Sequence, residues 1–166
     1  DSPPQGQFYM PKAIQIDKPG GASAMKWREV PVGKPKKGEV RLRQAAVGLN
    51  YIDVYHRMGL YPMPMPLTIG MEGAGVVGAL GAGVTDLKIG DRVAYAAPPL
   101  GAYAEERLMP AANMVKVPKA IDDQTAAAMM LQGMTVHYLL HSTYKVKKGD
   151  TILVHAAAGG IGLLMC

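Results

Sequence analysis

From residue 12 to about residue 117 the sequence reads repeatedly as strand, turn, strand, and this punctuation constrains the fold more than any other feature. Lys12-Ala13-Ile14-Gln15-Ile16 alternates until Asp17-Lys18-Pro19-Gly20-Gly21 interrupts it, and residues 27–32 form a second extended piece. After the turn Lys34-Pro35-Lys36-Lys37-Gly38, residues 39–45 have a period of two, the mark of a strand buried on one face. Residues 70–78 are a strand of small residues, where backbones must approach closely, and residues 90–95 and 101–107 complete the set. The 20 glycines and 13 prolines among 166 residues suit this pattern better than a helical bundle. Short strands at such spacing predict a barrel-like all-β domain. One helical interruption is expected over residues 50–57, with Ile52, Tyr55 and His56 on a face, stopped by Gly59 and the proline-rich 61–66.

The period then changes. Residues 121–144 predict a helix with Asp122 or Asp123 as its N-cap, continuing past Gly133 through His137 to Leu140. Lys147-Lys148-Gly149-Asp150 turns into Thr151-Ile152-Leu153-Val154-His155, a run that reads as a buried parallel strand. Ala157-x-Gly159-x-x-Gly162 follows that strand and opens a helix, the setting in which a dinucleotide-binding turn is credible. There Gly159 would let the backbone approach a pyrophosphate and Gly162 would let helix pack on strand, although Ala157 replaces the first glycine of the usual pattern. Any strand-to-helix turn favours glycine, so the motif alone leaves cofactor binding open. A βαβ unit takes about 30 residues, so only the beginning of such a domain is expected here, within a fragment of a longer protein.

With 49% hydrophobic and 19% charged residues, the chain can bury a core. The net charge of +5 is spread out, and the densest basic cluster is Lys145, Lys147 and Lys148, so a solvated surface is expected rather than a nucleic-acid arm. Cys166 is the single cysteine, which excludes a disulfide within the chain and fits a reducing compartment. No apolar run reaches the roughly 18 residues of a membrane span. Residues 1–9, with Pro3, Pro4 and Gly6, read as an extension rather than a secretory signal, with the domain proper beginning near Met10.

Several segments carry a family resemblance. Gly48-Leu49-Asn50-Tyr51-Ile52-Asp53, Gly59-Leu60-Tyr61-Pro62, Gly70-Met71-Glu72-Gly73-Ala74-Gly75, Gly133-Met134-Thr135-Val136-His137-Tyr138 and His155 to Gly162 occur in one order. Together they resemble the zinc-free, zeta-crystallin-like quinone oxidoreductases of the medium-chain dehydrogenase/reductase superfamily. The resemblance implies an α/β protein. A GroES-like β-barrel catalytic domain over 10–121 would be followed by the start of a Rossmann nucleotide-binding domain over 122–166. It also implies NADPH as cofactor, a small quinone as substrate, a homodimer and a cytoplasmic location.

Zinc-dependent members of the superfamily carry Cys where this chain has Asn50 and His where it has Met71, and Gln132 lies near the place of a third ligand. Glu72 alone cannot make a site that wants about four ligands, and one cysteine cannot build a four-cysteine lobe. No zinc is therefore expected.

The resemblance assigns catalysis to Asn50, Tyr55 and Tyr61: Asn50 as an amide hydrogen-bonding group, the tyrosines as an aromatic slot for the acceptor. It assigns cofactor binding to Tyr51, Ile52, Asp53, Tyr55, Gln132, Thr135, Tyr138, Ala158, Gly159, Gly160, Ile161 and Gly162. By residue type alone the tyrosines could be half-buried core, and Thr135 and Tyr138, at i and i+3, could simply pack a helix. Two rival functions stand beside this one. An alkenal or enone reductase of the same superfamily would use the same hydride. A non-catalytic, crystallin-like or RNA-binding module is compatible with the charge but lacks aromatics interleaved with Lys and Arg.

Overall fold

The computed structural model describes residues 9–166. The extension expected over 1–9 falls, except for Tyr9, outside the described residues. The Tyr9 hydroxyl donates to Glu105 at 3.0 Å, so Tyr9 is docked on the body of the protein.

Among the described residues, eight strands and three α-helices make a mixed α/β fold. In chain order they are β1 (Lys12–Ile16), β2 (Lys26–Glu29), β3 (Glu39–Gly48), α1 (Tyr51–Met58), β4 (Leu67–Thr68), β5 (Glu72–Leu80), β6 (Arg92–Ala96), β7 (Glu106–Pro110), β8 (Val115–Lys116), α2 (Asp123–His137) and α3 (Gly160–Met165). A three-stranded sheet has the order β2-β1-β4 and a five-stranded sheet β7-β3-β5-β6-β8, with every pair antiparallel. Alternation decides the faces: in β3, Val40 and Leu42 are fully buried while Arg43 is exposed.

Val40, Leu42, Val77, Val93, Tyr95 and Met109 form the main core under the five-stranded sheet, and Ile16, Leu67 and Ile69 form a second cluster. The third cluster is made only of alanines, Ala74 and Ala94 from the sheet with Ala126 and Ala127 from α2. Small side chains let the α2 backbone lie close to β5 and β6, which sets the helix against the end of the sheet that carries Glu72.

Helix α2 is capped by Asp122, whose carboxylate accepts the Thr125 N–H at 2.8 Å. That bond, followed by the one from the Thr125 hydroxyl, holds the Asp122 carboxyl below its ordinary range. A lowered folded-state pKa means the cap stabilises above the unfolded value and is lost as pH falls through the folded one. Asp122→Ala is therefore expected to lower the melting temperature at neutral pH, with a difference that shrinks below about pH 4. Thermal melts of both proteins across that range check it.

Two expectations are corrected. The strand expected over 101–107 begins only at Glu106. Residues 101–105 form a loop that meets β1 at a single bridge, Ala13 to Ala104, because Gly101 takes a positive φ and its N–H donates to Gly70 O. Thr151 to His155 is not a buried strand: the segment makes no ladder, and Leu153 is 81% exposed. A parallel strand needs a neighbour to bond, and none among the described residues pairs with it.

Candidate functional site

Asn50 sits between β3 and α1 with an extended backbone, as the residue preceding the helix. Its N–H donates to Asp53 Oδ2 at 3.0 Å, the acidic group one turn into the helix. Its Nδ2 donates to Glu72 Oε2 at 2.6 Å, and the other carboxylate oxygen, Oε1, accepts the Leu131 N–H from within α2 at 2.8 Å. Glu72 is 1% exposed. A carboxylate only accepts, so it fixes which end of the Asn50 amide faces it and leaves Oδ1 directed elsewhere. One buried carboxylate thus ties the entry to α1 to α2 across the first residue of β5.

A cleft of about 550 Å³ opens beside this junction, within the range of small-molecule sites. Asn50, Tyr51 and Ile52 line it from the sheet domain, and Leu131, Gln132 and Thr135 from α2. His155, Ala156, Gly159, Gly160, Ile161 and Gly162 close it from the glycine turn. Thr135 Oγ1 donates to Leu131 O at 2.7 Å, so its hydroxyl offers the cleft acceptor capacity. A side chain at Gly160 would run into the Gln132 amide, and one at Gly162 into the Ala156 carbonyl and Ala157. The turn therefore presents bare backbone where a dinucleotide would have to come close, and the residues present fit such a group. A smaller cavity of about 210 Å³, which includes Pro31, Leu100 and Arg107, holds none of the expected site residues.

Nine of the expected site residues meet in the larger cleft: Asn50, Tyr51, Ile52, Gln132, Thr135, Gly159, Gly160, Ile161 and Gly162. The others lie elsewhere. Asp53 is 2% exposed, and its Oδ2 takes both the Asn50 N–H and the Tyr103 hydroxyl, at 2.7 Å, so it holds the fold rather than lining the cleft. Tyr138 is 59% exposed at the point where α2 gives way to a π-helical stretch, Tyr138–Thr143, which breaks the α-helical phase. Ala158 is exposed in the turn and does not line the cleft.

Tyr55 and Tyr61 stand outside the cleft but together. Their rings meet edge to face at 5.9 Å, Tyr51 meets Tyr55 at 5.2 Å in the same manner, and His56 lies 5.8 Å from Tyr61. Tyr51, at the head of this aromatic run, belongs to both it and the cleft.

Sequence reasoning did not assign Leu131, His155 and Ala156 to the site. Gln132 next to Leu131 and the glycine turn after His155 were the available signals. For Asp53 the signal was its place three residues after Asn50, the spacing of a helix-capping pair.

The model of the alcohol dehydrogenase GroES-like domain matches residues 36–119. The 2-haloacrylate reductase of a Burkholderia species is 51% identical over 94% of this chain and 49% of its own length. The quinone oxidoreductase of Pseudomonas aeruginosa is 50% identical over 95% of the chain and 49% of its own. The crystal structure of Escherichia coli quinone oxidoreductase complexed with NADPH superposes with a TM-score of 0.91 at 42% identity, covering 93% of this chain and 48% of that one. The chain thus spans about half the length of the relatives it matches. With a matching domain model and relatives of this similarity, the chain belongs to the alcohol dehydrogenase GroES-like family of the medium-chain dehydrogenases/reductases.

Proposed function

We propose that this chain is the catalytic domain and the first part of the nucleotide-binding domain of an NADPH-dependent quinone reductase that works without zinc. The division falls at 121/122, just before α2. The observation that carries this reading is the cleft itself, where Asn50, Tyr51 and Ile52 face Gln132, Thr135 and a turn whose Gly159, Gly160 and Gly162 carry no side chains. When bound, NADPH supplies a hydride from its nicotinamide ring. This chain's residues orient and enclose. Asn50, its amide held by Glu72, offers a fixed acceptor, while Ile52 and Tyr51 give the apolar wall that keeps water from a reactive donor.

The edge-to-face run of Tyr51, Tyr55 and Tyr61 supplies aromatic ring faces and edges beside the cleft for a quinone ring to pack against, and the phenols can give the reduced oxygen a proton. The metal-free reading is supported by the side chains: both Glu72 oxygens are already engaged by N–H donors, and no three His, Cys, Asp or Glu gather among the described residues. No described helix is long and apolar enough to cross a membrane. A cytoplasmic homodimer belongs to the same proposal, by resemblance.

A second reading has its own support. A relative at 51% identity is a 2-haloacrylate reductase, so an electron-poor alkene is the rival acceptor for the same hydride. The test is NADPH oxidation by the full-length protein with a chelator present, comparing a simple benzoquinone with 2-chloroacrylate. Turnover that resists the chelator and favours the quinone in kcat/KM is expected. Preference for the haloacrylate moves the function to the alkene reductase, and loss of turnover with chelator sinks the metal-free claim.

A further inference from the structure

We propose that Tyr103 is a positioning residue for the cofactor cleft, acting through Asp53 on the N-terminus of α1. Tyr103 belongs to the 101–105 loop, remote in sequence from every residue of the cleft, and it occupies the seam of the fold. Its N–H donates to Ile69 O at 3.0 Å, and its carbonyl accepts the Ile14 N–H at 2.8 Å. Its side chain packs against both the main core and the Ile16 cluster. The ring lies against Gly70, where any side chain would overlap it, so Gly70 with its φ of 99° is the residue that admits it.

From that seat the hydroxyl donates to Asp53 Oδ2 at 2.7 Å, the same oxygen that receives the Asn50 N–H. Oδ1 of Asp53 is buried and has no partner among the described residues, so both tethers converge on a single atom. Of the three residues that line the cleft from this side, Asn50, Tyr51 and Ile52, the first is the one whose N–H this atom holds, at the point where the chain enters α1. Glu72 fixes the Asn50 side chain, and Asp53 with Tyr103 fixes its main chain.

The phenol is suited to a permanent donor's task. Burial first, then its hydrogen bond to Asp53 and the nearby charges of Asp53 and Glu72, hold it above its ordinary range, which favours the protonated, donating form. Tyr103 does not line the cleft, and its effect passes through another residue.

The inference rests on the cofactor cleft proposed above, and its test separates the two. In the full-length protein, Tyr103→Phe keeps the ring and removes the hydroxyl. The NADPH dissociation constant is expected to rise about five- to tenfold, with kcat within about twofold of the parent. Amide exchange over residues 50–58 should quicken in the same variant. Tyr95→Phe is the comparison, because it also removes a buried hydroxyl, one bonded to Gln44 and Arg107 and to no residue of α1. It is expected to lower the melting temperature while leaving NADPH affinity and the exchange of α1 unchanged.

Asp53→Asn keeps an acceptor and removes its charge, so it should move both readouts in the direction of Tyr103→Phe by a smaller factor. It also provides the measurement if Tyr103→Phe cannot be purified. Unchanged exchange over residues 50–58 in Tyr103→Phe and Asp53→Asn, or an equal loss of affinity in Tyr95→Phe, overturns the proposal. A parent protein that fails to bind NADPH removes the functional reading instead, and the exchange data then decide the positioning claim alone.

Discussion

Glu72→Ala is expected to lower the stability of the fold by about 2–5 kcal/mol, read from denaturant titration. The substitution leaves the buried Asn50 Nδ2 without its partner, at about 1–3 kcal/mol, takes the Glu72 acceptor from the Leu131 N–H, and opens space at the contact of sheet and helix. Part of that loss is offset because the carboxylate no longer has to be buried. Glu72→Gln separates structure from function. Its oxygen can accept from Leu131, but its NH2 then faces the Asn50 NH2, and the conflict is relieved if the Asn50 amide turns over. Stability should fall by less than about 1.5 kcal/mol while activity falls sharply, because Asn50 now presents a donor where it presented an acceptor. A Glu72→Ala protein within about 0.5 kcal/mol of the parent would mean the Asn50 amide finds another partner, and the account of Glu72 would be wrong.

Gly162→Ala in the full-length protein is expected to weaken NADPH binding about 10- to 100-fold, measured by fluorescence titration of the cofactor. A methyl group there meets the Ala156 carbonyl and Ala157, which are backbone and cannot swing aside. Relieving the overlap moves α3 off the turn at an overpacking cost of about 1–3 kcal/mol, and about 1.4 kcal/mol corresponds to a factor of ten in affinity. Gly160→Ala makes the contrast. The group it meets is the far end of the Gln132 side chain, which can rotate away, so its effect should stay under about tenfold. Equal effects at both glycines would show that general disturbance of the turn, rather than the close approach at Gly162, sets the affinity.

The sequence by itself determined the parts that depend on near neighbours. The alternation of residues 39–45 placed β3, the spacing of Ile52 and Tyr55 announced α1, and a cap at Asp122 or Asp123 marked the start of α2 to within a residue. The glycine turn was legible for the same reason, since backbone freedom is written in residue type. Tertiary structure decided the rest. Glu72 read as the leftover of a metal site that the other residues could not build, and it serves instead as the acceptor joining Asn50 and Leu131, 22 and 59 positions away in the chain. Asp53 reads as a cofactor ligand, and the fold buries its carboxylate between the Asn50 N–H and the hydroxyl of Tyr103, 50 residues on. Residues 151–155 have the composition of a buried strand but none of its order, because a strand is stabilised by the neighbour it bonds to. Propensity and spacing are local, whereas the burial of a carboxylate or the pairing of a strand depends on chain that returns from far away, and no window of sequence contains it.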